Sequence, residues 1–486
     1  MKKCMLRMTL LGMLCLFSIG SAEILYVHPD SSLNSIQVAL DSCFAYDTVL
    51  AGPGIYYENI IWPYVQGINL LSEFGADTTI IDGGKESGVI HLSLMPEDSV
   101  TLIKGFTIRN GDAWQGGGIY SVGGRPRITG NIITDNTSQW QSRKSHLSAG
   151  YEYRDAHTRS SPERSKNGPP PQGGGIYTEW SSAVIINNVI SGNISHQGGG
   201  VACFCDAANI SPLIMNNTIT ANTAHAGGGV YIDCPFTMTV VRENMISDNT
   251  ANFGGGFGCY YVINPLLRIT DNTITGNSAD SAGGGIWCYL ASRPIIDSNT
   301  VSGNTGDGIY IGYNSSPLVT YNNIVDNVGL ALVNDDADEL IMAENNWWGD
   351  ASGPYHPMTN PGGMGDTVSD YVDYDPWMTL PGTGEHLLQS QSMSILQIHP
   401  NPFSDIVSIR YLVLDTGCLV KNPTLKIYDV GGRIVNDFGH LSDIGYPSSM
   451  KWYGTDSNGK QLPGGVYFLK LKVGKYSETA KIVLLR

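Results

Sequence analysis

Beyond its first twenty-two residues the chain lacks any apolar run long enough to cross a bilayer, so a later membrane-spanning helix is not expected. It is also poor in charge, and unevenly so. Only 15% of its residues are charged, and 28 Lys and Arg stand against 44 Asp and Glu. So acidic a chain is ill suited to nucleic acid or anionic lipid, which leaves divalent cations and neutral polymers as natural partners. The consensus of leucine-rich repeats is missing, as are the short coils of hexapeptide helices and the nine-residue calcium-binding rolls. No helical run separates the strand-like segments in the middle of the chain.

The chain opens with Lys2, Lys3 and Arg7, an apolar run from Met8 to Ile19, and the small residues Gly20, Ser21 and Ala22. That order reads as a secretory signal over residues 1–22. Cys15 follows Met13 and Leu14 rather than a small residue, so free secretion is expected instead of a lipid anchor. Removing the signal leaves 25 basic against 44 acidic residues, a formal charge of −19.

Glycine is abundant, 59 of 486 residues, and it is periodic. A glycine triplet followed by a hydrophobe starts at residues 116, 173, 198, 227, 254 and 283, and weakens to Gly-Asp-Gly at 306. A second motif, Asn-x-[Ile/Val]-x-x-Asn, keeps step with it from Asn131, Asn188, Asn217, Asn244, Asn272, Asn299 and Asn322. Proline stands five residues ahead of this motif at Pro126, Pro212, Pro294 and Pro317. A period of 23 to 29 residues with three short strand-like runs predicts a right-handed parallel β-helix. Proline opens one strand and asparagine supplies left-handed turns. Glycine serves the corners, where coils about 4.8 Å apart leave no room for a stacked side chain. Asn side chains should form amide ladders, and Ile133, Ile190, Ile219, Ile246, Ile274, Val301 and Ile324 should stack inward. About eleven coils fit between Glu23 and Trp348. Ile36, Ala39, Leu40 and Cys43 share one helical face behind Asn34, which predicts an amphipathic helix covering the open first coil.

These coils resemble the pectate-lyase-like superfamily of secreted right-handed β-helix proteins. The resemblance is carried by "YVHPDSS", "SIQVAL" and "DTVLAGPGIYYENI" near the amino terminus, and by "NNWWGDASGP" (345–354) with "VDYDPW" (372–377) at the close. It implies a β-helix over residues 23–378 with an insertion at 138–172. A Gly, Ser and Gln-rich linker follows at 379–394. Residues 395–486, with "HPNPFSDIVSIRY", "LKIYDVGGRIV" and "GKQLPGGVYFLKLKVG", read as alternating strands of a small β-sandwich. This block is similar to the carboxy-terminal sorting domains of the type IX secretion system, and to the immunoglobulin-like domain of flagellar hook-capping proteins. The first likeness implies export across the outer membrane, contact with the type IX machinery and display at the cell surface.

The Gly-His-Gly element of the polygalacturonase branch is missing, and only Asn334-Asp335-Asp336 comes near its aspartates. The pectate-lyase branch implies a calcium ion held by carboxylates of adjacent coils. Glu179 and Asp233, each four residues past a triplet, and Asp206, six past, are the candidate ligands. Rings fall in the same outward phase: Tyr120, Tyr177, Tyr231, Trp287 and Tyr310 two residues past the glycines, and Phe204, Tyr260 and Tyr289 four past. Exposed stacked rings suit the apolar faces of sugars, because they are flat and cost little entropy to hold. His196 and His225, each two residues before a triplet, should also stack. Cys203, Cys259 and Cys288 share an inward phase; a bridge between Cys205 and Cys234, or between Cys259 and Cys288, stays open beside buried thiols. The insertion carries Arg143, Lys144, Arg154, Arg159, Arg164 and Lys166, either as a surface loop or as a basic lid over an acidic glycan. The leading expectation is a surface β-helix that binds extended polysaccharide along an outward aromatic stripe. A calcium-dependent polysaccharide lyase and a non-catalytic adhesin or stalk are the alternatives.

Overall fold

The computed structural model describes residues 22–95, 101–139, 170, 172–205, 210–263, 267–382, 394–399, 401–413, 424–440, 447–473 and 476–486. The signal segment, most of the 138–172 insertion with its six basic residues, Asp206 and Cys418 lie outside these residues.

Residues 24–373 wind into a right-handed solenoid with three parallel sheets as walls. The first sheet has 13 strands, from Ile24–Val27 to Val372–Asp373, and the other two have 10 each. Twelve steps of about 4.8 Å make a rod roughly 58 Å long, somewhat more than the expected eleven coils provide. Strands are short, three or four residues in most coils, and each pairs in register with its copy one coil on: Ile219 with Ile246, and Ile246 with Ile274. All three are fully buried, as are Ile133, Ile190, Val301 and Ile324, so the inward column stands where the motif placed it. Each such side chain contributes roughly 1.5–3 kcal/mol of burial. Pro126, Pro212, Pro294 and Pro317 each stand immediately before a strand of the first sheet, where the missing N–H breaks no ladder bond.

Glycine performs two tasks in each triplet. The first member is left-handed, with φ between 62° and 66° at Gly116, Gly173, Gly198, Gly227, Gly254 and Gly283. At the second and third members the backbones close up: a Cβ on Gly228 would lie 2.4 Å from the carbonyl oxygen of Gly255 in the next coil.

The asparagines form two buried ladders. One runs from Asn131 through Asn188, Asn217, Asn244, Asn272, Asn299 and Asn322 to Asn346. The other runs from Asn136 through Asn193, Asn222, Asn249, Asn277 and Asn304 to Asn327. In both, each amide Nδ2 donates to the Oδ1 of the next coil, and that Oδ1 also accepts a backbone N–H. Left-handed geometry falls one residue earlier than expected, at Asn187, Asn216, Glu243, Asp271 and Ser298 in one turn and Asp135, Ala221 and Asp248 in the other. The ladder asparagines serve as hydrogen-bonding rungs, and their neighbours absorb the turn.

The covering helix is Ile36–Asp41, with Ile36, Ala39 and Leu40 buried over the first coil. Its cap is Ser35 rather than Asn34: Ser35 Oγ accepts the N–H of Val38, and Glu58 accepts the N–H groups of Ile36 and Gln37.

Residues 394–486 form two antiparallel sheets. Strands Ser394–His399, Val407–Val413 and Pro447–Trp452 make one; Thr424–Asp429, Ile434–His440, Gly465–Val473 and Tyr476–Leu484 make the other. Val407, Ile409, Leu425, Ile427, Trp452, Leu469 and Ile482 close one apolar core between them. Among the described residues no helix is long and apolar enough to cross a membrane.

Candidate functional site

The third sheet, whose strands follow the glycines, carries the rings. In-register pairing sets one outward column as Tyr120, Tyr177, Ala202, Tyr231, Gly258, Trp287 and Tyr310. From Tyr177 to Trp287 large rings alternate with Ala or Gly, so a ring can settle over its small neighbour. A Cβ on Gly258 would come within 3.2 Å of Tyr231 Cδ2. Gln197 Nε2 also donates to Tyr231 Oη at 3.1 Å. The outcome corrects the expected open stripe: Tyr177, Tyr231 and Trp287 keep only 1%, 2% and 7% of their surface. With Ala202, Ala226 and Ala282 they form a separate apolar cluster outside the solenoid core, against which Tyr120, Phe204, Tyr260, Tyr289 and Tyr310 pack half-buried.

The surface opens toward the carboxy-terminal coils. Tyr231 and Tyr260 are near-parallel with centroids 6.4 Å apart, Tyr260 and Tyr289 follow at 6.4 Å, and Tyr289 and Tyr313 at 5.5 Å. Trp287 backs Tyr289 at 5.1 Å. Tyr310 Oη donates to Asp335 Oδ2 at 2.6 Å, and burial together with this carboxylate pushes the phenol pKa well up. Tyr261 and Tyr313 are 43% and 56% exposed and left-handed, with φ of 56° and 52°. Sequence phasing missed both, because alternation of faces stops where the strand ends. The available signal was a tyrosine directly in the turn, in "CYY" (259–261) and "IYIGYN" (309–314).

The carboxylates are arranged differently from the expected calcium shell. Glu179 pairs in register with Phe204, and Phe204 with Asp233, so an aromatic side chain stands between two acids about 10 Å apart along the axis. Glu179 is buried, and Asp206 lies outside the described residues. No group of three His, Cys, Asp or Glu among the described residues is arranged to hold a metal ion. Glu179 and Asp233 are thus separated by Phe204 in the column, and the third expected ligand, Asp206, lies outside the described residues.

His196 and His225 lie with centroids 4.7 Å apart and rings tilted by 33°, and His225 meets Phe253 edge-on. All six described cysteines carry free thiols. Burial raises the thiol pKa of Cys203, Cys205 and Cys259 far above the ordinary range, which leaves them inert packing groups.

Comparison with known proteins agrees with this architecture. Residues 252–353 match the family described as "Right handed beta helix region", and residues 397–485 match "Secretion system C-terminal sorting domain". No curated protein matches the chain. Among solved structures, dimeric latent PorU from Porphyromonas gingivalis is 20% identical over 22% of this chain and 10% of its own, with a TM-score of 0.17. PorZ from the same organism, described as a surface component of the type IX secretion system, is 22% identical over 22% of this chain and 13% of its own, with a TM-score of 0.15. The chain thus spans little more than a tenth of either protein. XylC in complex with xylose is 10% identical over 94% of this chain and 100% of its own, with a TM-score of 0.40. The chain is a secreted β-solenoid whose residues 397–485 are similar to secretion system C-terminal sorting domains.

Proposed function

We propose that the solenoid is a cell-surface binding protein for extended polysaccharide, and that its platform is the carboxy-terminal part of the aromatic face rather than the whole stripe. The observation that carries this reading is the near-parallel series Tyr231, Tyr260, Tyr289 and Tyr313, which runs along the helix axis at 5.5–6.4 Å steps. Its exposure rises from the buried Tyr231 to the open Tyr313. A linear polymer laid along the axis would meet Tyr260, Tyr289 and Tyr313 in turn, with Tyr261 and Tyr310 beside them. Tyr120 and Tyr177 act as support under this reading. The sorting domain brings that platform to the outer surface, and its two sheets suit the immunoglobulin-like arrangement of such domains.

The test is a panel of soluble and insoluble polysaccharides, read for retention and for unsaturated products with and without chelator. The expected result is retention of at least one glycan, insensitive to chelator, and weakened about tenfold by Tyr289→Ala. Chelator-sensitive release of unsaturated products would favour a calcium lyase instead. Retention unchanged by Tyr289→Ala would move the binding face away from this platform, and no retention of any glycan would leave the solenoid as a passive stalk.

A further inference from the structure

The second sheet, from Gly54–Tyr57 to Asn323–Val325, differs from the other two in what it turns outward. In six successive coils the residue after the buried Ile or Val is a hydroxyl: Thr134, Ser191, Thr220, Ser247, Thr275 and Ser302, paired in register without a bulge. Ser191, Ser247 and Ser302 each donate to the threonine of the coil before, at 3.4, 3.2 and 3.5 Å. Each threonine oxygen accepts there and keeps its own proton to donate. Thr218, Thr273 and Thr300 stand two residues earlier on the same face, interrupted by Met245. Around the next corner Thr223, Thr250, Ser278 and Thr305 continue the pattern, again in register. All of these hydroxyl residues reach the surface, half-buried or exposed. The acids that border the first column, Asp135 and Asp248, lie over Gly192 and Gly276 of the next coil, where a Cβ would come within 3.3 and 2.8 Å of their Oδ1 atoms. In the same coils the first sheet turns out Val240, Arg242 and Arg268, and the third turns out rings.

This face is also held more firmly than the other two, which is an independent observation. Each of its three-residue strands lies between the two amide ladders: Asn217 immediately precedes Thr218, and Asn222 stands two residues past Thr220. Ile219, fully buried, pins the middle of the same strand from inside. The branched threonine side chain is stiff as well, so the hydroxyls are fixed before anything binds. The resulting array repeats at about 4.8 Å along the axis and about 6.6 Å across each strand.

We infer that this face binds ice. A hydroxyl array holds a layer of water at its own repeat, and the shorter repeat is close to the oxygen spacing along the a axis of hexagonal ice. That layer can join a growing ice front, with threonine methyl groups seated between its waters. Charge would break such a layer by drawing water radially around itself, and the array carries none within its columns. The first sheet, with Arg242 and Arg268, and the ring-bearing third sheet do not offer the same pattern.

The experiment is nanolitre osmometry of the secreted full-length protein, which reads the gap between melting and freezing of a single ice crystal, with crystal shape followed by microscopy. The gap should open with protein concentration, and crystals should grow faceted. Thr220→Lys with Thr275→Lys should close the gap while leaving the urea unfolding midpoint unchanged, since both side chains point outward. Thr250→Lys, at an exposed position in the column around the corner, gives the same test should the double variant fail to be secreted. Tyr289→Ala, on the aromatic face, should leave the gap as it is, so the outcome is separate from the glycan reading. Rounded crystals with no gap at any concentration, a gap that survives the lysines, or one that Tyr289→Ala removes would each overturn the assignment.

Discussion

Removing one rung from a buried amide ladder should cost far more than removing an exposed polar side chain, and Asn249 allows the cost to be worked out. Its Oδ1 accepts both the backbone N–H and the Nδ2 of Asn222 at 3.0 Å. Its Nδ2 donates to the Ile219 carbonyl and to Asn277 Oδ1, each at 2.9 Å. Asn249→Ala leaves the Asn222 N–H and one of its amide protons without an acceptor in the dry interior. Asn277 Oδ1 keeps only the N–H of residue 249 as a donor on that side. With about 1–3 kcal/mol for each buried group left unpaired, the loss should be about 3–6 kcal/mol. The control is Asn216→Gly, which removes an exposed amide donating to Asn187 while suiting the left-handed backbone there, and should cost under about 0.5 kcal/mol. Urea unfolding of the secreted protein, followed by far-ultraviolet circular dichroism, gives both values. A loss at Asn249 below about 1 kcal/mol would refute the ladder as a source of stability, because water or a shifted coil would then be satisfying its partners.

Other outcomes follow from the same geometry. Tyr231→Ala should destabilise by about 2–4 kcal/mol in the same assay, since the ring is buried and Gln197 Nε2 loses its acceptor. Tyr313→Asn should stay within about 1 kcal/mol of the wild type, because relief of the left-handed backbone offsets the lost stacking on Tyr289. Deleting residues 395–486 should leave the protein in the periplasm of a host with type IX secretion, read by fractionation; normal surface delivery would contradict the sorting assignment. Burial disfavours the Asp82 carboxylate. The Gly84 N–H, Arg109 Nε at 2.8 Å and Asn110 Nδ2 outweigh that and hold its pKa below the ordinary value. A depressed folded pKa contributes stability above the unfolded value of about 3.9 and loses it as pH falls through the folded value. Asp82→Asn should therefore lower the melting temperature at pH 7, with the difference from wild type closing toward roughly pH 2.

Repetition made the solenoid readable. A residue type that recurs every coil reports its own stacking, so the inward Ile219, Ile246 and Ile274, the glycine corners and the Asn ladders could be placed by counting. Positions where neighbouring coils differ were harder, because their environment depends on the residue above and below. Tyr231 is outward in phase yet buried, and the reason is the small residue at 258 in the next coil. Glu179 and Asp233 share a column, but Phe204 interrupts it. Tyr261 and Tyr313 lie past the strand ends, where a period of two says nothing about direction. Helix capping failed by one residue for a similar reason: Asn34 and Ser35 are both good caps, and Glu58 from a later strand end decides between them through Ser35 and the first N–H groups.

The central claim, that the carboxy-terminal end of the aromatic face meets glycan, is tested most directly by hydroxyl-radical footprinting of the secreted protein bound to a retained polysaccharide. Tyr260, Tyr261, Tyr289 and Tyr313 should lose reactivity on binding, while Tyr57 and Tyr64, more open tyrosines in the first coils, should keep it. Protection confined to Tyr57 and Tyr64, or no tyrosine protected by a glycan that the protein demonstrably retains, would contradict the account.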